Sequence, residues 1–164
     1  MRQLLAAAQT GIAVLVLCIA SGCSVGAPST FSLNSASVDS SYTCPTSVDN
    51  AAYELHATID LHNGTSSSVT IKSVAASMTL SAVKGSWLER IGDKYEASGV
   101  TFAPAQVGAG KSTSLKVTIP SACTNGSAPT GGTSYGDYSV SLVVTSSSGS
   151  HTIASRNSHR IVAS

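Results

Sequence analysis

From Tyr53 to His62 the chain alternates without a break. Tyr53, Leu55, Ala57, Ile59 and Leu61 fall on one face, and Glu54, His56, Thr58, Asp60 and His62 on the other. A period of two predicts a β-strand with one buried and one wetted face. Asn63-Gly64-Thr65 and the serines behind it predict a turn. Val69-Thr70-Ile71 resumes the alternation on odd positions, after which the apolar phase moves to Val74, Ala76, Met78, Leu80 and Ala82. A slip of one residue swaps the faces of a strand, so a bulge is predicted near Ser73.

Gly85 to Gly99 is less regular and holds the densest charge, which suggests a connection with a short edge strand or a helical turn. Val100-Thr101-Phe102 before Pro104 reads as another edge piece. Ser114 to Ile119 alternates and stops at Pro120. After a Gly/Ser/Thr/Pro-rich loop, Tyr138 to Val144 is the next strand. His151 to Ala163 returns as the last one, interrupted at Arg156-Asn157. Sustained apolar spacing at three and four is missing, so little helix is expected beyond the N-terminal segment. The expectation is all-β: about seven short strands packed as a two-sheet sandwich, with a small barrel as the alternative.

The N-terminus has a different pattern. Met1-Arg2-Gln3 is a short basic start, Leu4 to Ala20 is apolar or small, and Ala20-Ser21-Gly22-Cys23 follows. This three-part order is that of a secretory signal. The apolar run is shorter than the roughly 20 residues that span a bilayer with ease. Ala20-Ser21-Gly22-Cys23 resembles the lipobox of bacterial lipoproteins, with Ala20 where leucine is usual. That resemblance implies cleavage before Cys23, acylation of its sulfur, and anchorage to the bacterial cell membrane facing periplasm or cell surface. Cleavage after Ala27, behind Val25-Gly26-Ala27, is the competing outcome. The division expected is residues 1–22 as signal peptide, 23–40 as lipidated cysteine and flexible tether, and 41–164 as the sandwich domain.

Composition narrows the function. Charged residues are 10% and aromatics 5% of the 164 residues, so the core must come from aliphatic side chains and the surface from Ser and Thr. Without Arg2, eight basic side chains face eight acidic ones. A nucleic-acid partner, which requires a basic patch, is not expected. Of the four cysteines, Cys18 lies in the leader and Cys23 in the lipobox. Cys44 and Cys123 remain, and a pair in an exported domain predicts a disulfide.

Tyr135-Gly136-Asp137-Tyr138-Ser139-Val140 resembles the tyrosine corner of immunoglobulin-like domains, with Val140 where antibody-type domains have cysteine. It implies an Ig-like or fibronectin-like sandwich in which the tyrosine hydroxyl bonds back to the backbone.

Candidate chemistry is sparse. Gly108-Ala109-Gly110-Lys111-Ser112-Thr113 has Ala105 where a phosphate loop needs glycine, and a strand follows instead of a helix. Glu54, His56, Asp60 and His62 share a strand face, as metal ligands can, but a half-buried strand has a polar face by construction. His151 and His159 could join such a set only if the fold brought them alongside. Trp87 and Tyr95 form a possible binding loop, with core packing of Trp87 as the plainer reading. Asn63-Gly64-Thr65 and Asn125-Gly126-Ser127 match glycosylation acceptors but read as turns here. Neither a Gly-x-Ser-x-Gly elbow nor a motif for any cofactor occurs. The expectation is therefore a non-catalytic binding or scaffolding lipoprotein of the cell envelope. Its partners would be the membrane, through its lipid, and an unknown envelope protein or glycan. A small-ligand module for carbohydrate or metal is the alternative, and a hydrolase comes third.

Overall fold

Two antiparallel sheets face each other across an aliphatic core in the computed structural model, which describes residues 30–45, 50–123 and 133–163. The leader, Cys23 and residues 24–29 lie outside the described residues. The strands are β1 Phe31–Val38, β2 Ser41–Thr43, β3 Ala52–Asn63, β4 Val69–Lys84, β5 Lys94–Glu96, β6 Thr101–Ala103, β7 Gln106–Val107, β8 Lys111–Ala122, β9 Ser134–Ser146, β10 Gly149–Ala154 and β11 His159–Ala163. One sheet has the order β1-β3-β8-β6. The other has the order β2-β11-β9-β4-β5, with β10 also on β9 and β7 also on β4. Among the described strands, β2 and β11 alone pair in parallel.

The alternation read from the sequence is what closes the core. Leu55, Ile59 and Leu61 of β3 meet Leu115, Val117 and Ile119 of β8 from the same sheet, and Met78, Leu80, Val140, Leu142 and Val144 from the other. Each such fully buried side chain contributes about 1.5–3 kcal/mol of transfer free energy. The predicted phase change in β4 is a register shift between Ile71 and Ser73. A second shift between Leu80 and Ala82 turns Ala82 outward, away from its expected buried place.

The described strands number eleven, against about seven expected. The surplus consists mostly of two- and three-residue pieces along the sheet edges, too short for periodicity to reveal. The tether assignment is also corrected. Residues 31–38 are β1, paired with β3 from Phe31↔Asn63 to Val38↔Ala57. A register shift between Leu33 and Ser35 moves the apolar phase from Phe31 to Ala36 and Val38, which hid the strand among its serines. The last strand is divided as expected: β10 and β11 lie end to end along β9, separated by residues 155–158.

The expected disulfide is present. Cys44 and Cys123 are both buried, with Cα atoms 5.9 Å apart and a sequence separation of 79. Cys44 extends β2 along β11, its N–H donating to the Val162 carbonyl, while Cys123 follows β8 and donates its N–H to the Ala51 carbonyl. The bridge therefore staples one sheet to the other.

Candidate functional site

The β4–β5 hairpin, residues 85–93, folds over one end of the sandwich. Trp87 is half-buried and faces inward. Its Nε1–H donates to the Tyr138 hydroxyl at 3.1 Å. The Tyr138 hydroxyl in turn donates to Glu89 through a short hydrogen bond. Burial, and then the Glu89 carboxylate, raise the Tyr138 hydroxyl above the ordinary tyrosine range. The backbone bond implied by the tyrosine-corner resemblance is replaced by this side-chain pair, because the hairpin returns over β9 and brings Glu89 within reach. Tyr95 is partly exposed and donates its hydroxyl to the Pro120 carbonyl at 3.2 Å. Under these residues lies a cavity of about 60 Å³ bordered by Met78, Glu89, Ser121 and Ile161. The tip of the hairpin exposes Leu88 at 73% and Ile91 at 63%. Sequence reasoning pointed to Trp87, whereas the outward apolar side chains are its neighbours.

The polar face of β3 is drawn into a network with adjoining strands. His56 Nδ1 lies 3.0 Å from Asp39 Oδ2, which also accepts from the His56 backbone N–H. Asp60 accepts from Ser114 and Ser35, and these two hydrogen bonds hold its carboxyl below the usual range. His62 Nδ1 contacts Ser112 at 2.9 Å. Glu54 Oε2 lies 3.8 Å from His56 Nε2, so His56 sits between two acids, while Asp60 and His62 turn to serines. Among the described residues no group of three or more His, Cys, Asp or Glu converges as a metal would require. Gly108 and Lys111 close a turn into β8, its backbone bond running from Lys111 N–H to the Gly108 carbonyl.

His159 is buried, and Asp39 links it to this face, its carboxylate meeting His56 and its backbone carbonyl meeting His159. Its Nδ1 lies 2.7 Å from the Asp39 carbonyl, an acceptor only, so Nδ1 carries the proton. Nε2 then accepts from the Tyr53 hydroxyl at 3.0 Å. Burial lowers the His159 pKa, and burial pushes the Tyr53 hydroxyl up to about 12.

Sequence reasoning missed one cluster entirely. On the outer face of β9 and β11, Arg160 makes a bidentate pair with Asp137, Nε to Oδ1 at 2.7 Å and Nη2 to Oδ2 at 2.9 Å. The guanidinium lies 3.8 Å from the centroid of the Tyr135 ring. Beside it runs an open groove of about 560 Å³, lined by Ser40, Ser41, Arg156, Asn157 and Ser158. The one signal in the sequence was the polar interruption at Arg156-Asn157.

No family model matches the chain, and no curated protein matches it. Among solved structures it is similar to AggA, the major subunit of aggregative adherence fimbriae type I from Escherichia coli. Identity there is 7%, covering 82% of this chain and 96% of that one, with a TM-score of 0.40. It is similar to the CooA pilin subunit of enterotoxigenic Escherichia coli at 18% identity, covering 80% and 98%, with a TM-score of 0.29. It is also similar to a PapD-like domain of human CEP192 at 15% identity, covering 95% and 96%, with a TM-score of 0.26. Likenesses this loose say nothing about function.

Proposed function

We propose that this chain is an exported bacterial lipoprotein, held to the membrane through acylated Cys23, whose sandwich is a non-catalytic binding or scaffolding module of the cell envelope. The buried bridge between Cys44 and Cys123 carries the reading. Disulfides form and persist in oxidising compartments outside the cytoplasm, where the leader and lipobox-like run would deliver the chain. Acyl chains would anchor it stably, each buried CH₂ contributing about 0.8 kcal/mol.

The layout supports a role facing away from the membrane. The chain enters the fold at Thr30, whose carbonyl accepts from Gly64 N–H at the end formed by the β3–β4 turn. The hairpin bearing Leu88 and Ile91 sits where β4 finishes, at the opposite end.

Intact mass of the mature protein from a lipoprotein-processing bacterium is the test. A mass that begins at Cys23 with acyl chains and gains two hydrogens on reduction is expected. A mass beginning near Pro28 without lipid overturns the anchor. A photo-crosslinker at Leu88 should capture an envelope component in living cells, and silence there and in a deletion strain's envelope counts against a binding module.

A further inference from the structure

The groove beside Arg160 is built more firmly than a solvated surface requires. Its floor is the break between β10 and β11, and that break is tied to β1 and to the β1–β2 turn on several sides. Asn157 Oδ1 accepts from Val38 N–H at 3.1 Å, and Asn157 Nδ2 donates to the Val38 carbonyl at 2.8 Å. Arg156 N–H donates to the Ala36 carbonyl, and Arg160 N–H to the Ser40 carbonyl. Ser155 Oγ closes the turn onto the Asn157 carbonyl at 2.7 Å. With the backbone held this way, Arg156 and Ser158 are exposed on one side of the groove and Ser40 and Ser41 on the other.

The chemistry of the walls selects a ligand class. Among the residues lining the groove, Arg156 and Arg160 stand against the single carboxylate of Asp137, while the Arg156 charge also acts on Asp60 outside the lining. Asp137 engages Nε and Nη2 of Arg160, which fixes the plane of the guanidinium while its remaining N–H groups stay available. Arg160 is 43% exposed and Asp137 17%, so the arginine is the group that meets solvent. Serine hydroxyls both donate and accept, as the hydroxyls of a sugar demand. The Arg160 guanidinium also rests 3.8 Å from the centroid of the Tyr135 ring, which helps hold it in place. A polar, open trough of about 560 Å³ is within the size range of small-molecule sites, roughly 300–1,000 Å³, but lacks their apolar lining.

We infer that this groove binds an acidic saccharide, with Arg156 and Arg160 taking the carboxylate or sulfate of the sugar and Ser40, Ser41 and Ser158 its hydroxyls. Position favours a saccharide over an anionic lipid headgroup. The groove adjoins the far end of β1, and the tether enters at the near end, roughly 23 Å away at 3.3 Å per residue. The inference rests on the binding-module reading, and its preference for a saccharide over a lipid headgroup rests on the proposed anchor.

The test is a titration of the full mature protein by NMR and calorimetry with trigalacturonate, a sulfated trisaccharide, neutral galactotriose, inorganic phosphate and phosphatidylglycerol vesicles. Saturable binding of either acidic trisaccharide, with shifts confined to residues 40–41, 135–137 and 156–160, is expected. Arg156→Gln should weaken it about tenfold or more, the loss of one charge-assisted hydrogen bond, without lowering the melting temperature. Equal binding of galactotriose or phosphate, an unchanged affinity in Arg156→Gln, or a response to vesicles alone overturns the assignment. An envelope crosslink at Leu88 in a protein that ignores both acidic sugars overturns the groove and leaves the wider reading standing.

Discussion

Trp87 lies against Gly136 so closely that a methyl group placed on the glycine would meet the indole Cε2 at 2.7 Å and Nε1 at 2.9 Å. The tryptophan therefore uses the missing side chain as its seat, and the hairpin that carries it is docked through that contact. Gly136→Ala should push the indole outward and loosen residues 85–93. The cost is about 1–3 kcal/mol, as for other insertions into packed sites. Trp87 is the sole tryptophan, so a red-shifted emission with a lowered melting temperature checks this directly. An unmoved emission maximum would refute it.

His159 makes the domain sensitive to mild acid. Burial depresses its folded pKa from the ordinary 6.5, so the unfolded chain takes up a proton first as pH falls. Stability from this group is complete above about 6.5 and drains away as pH drops toward the folded value, where the Nε2 acceptor of Tyr53 is lost. Urea unfolding at steps between pH 7 and 5 should show that slope, and His159→Gln should flatten it while lowering stability at pH 7.

Asn63, read as a turn residue, has its side chain fully buried. Its Nδ2 donates to the carbonyls of Ser67, Val107 and Gly108, and its Oδ1 accepts from Thr65. Asn63→Ala leaves buried acceptors without a donor and should cost about 1–3 kcal/mol. Faster amide exchange at residues 64–68 and 107–110 is the accompanying readout.

Reducing the Cys44–Cys123 bridge, or replacing both cysteines with alanine, should lower unfolding free energy by about 2–4 kcal/mol. The closed loop is long, so most of that change reflects freedom regained by the unfolded chain. Denaturant melts with and without reductant measure it, and coincident curves would contradict it.

Legibility followed local periodicity. β3, β8 and β9 could be drawn from the sequence because each presents one aliphatic face over many residues. The shift at Ser73 was visible because both of its flanks alternate clearly. β1 was not, since its register shift falls among serines and leaves too few apolar residues on either side to establish a phase. The fate of the Tyr138 hydroxyl was hidden for another reason. It depends on a hairpin closing over β9 from 49 residues away, and no local pattern encodes Glu89 as its partner. The groove was hidden in the same way. Arg160 and Asp137 become neighbours only through the β9–β11 register.

The inter-sheet bridge also determines how the fold bears load. A pull on the N-terminal end reaches Cys44 after β1 and β2 and is then handed across the sulfurs to Cys123. The chain between them, a sequence separation of 79, is bypassed. About 270 Å of contour length, at roughly 3.4 Å per residue, stays out of the line of tension. Stretched from its N-terminus, the domain can shed its first two strands, yet β3 to β8 remain inside a covalent ring that tension cannot draw out.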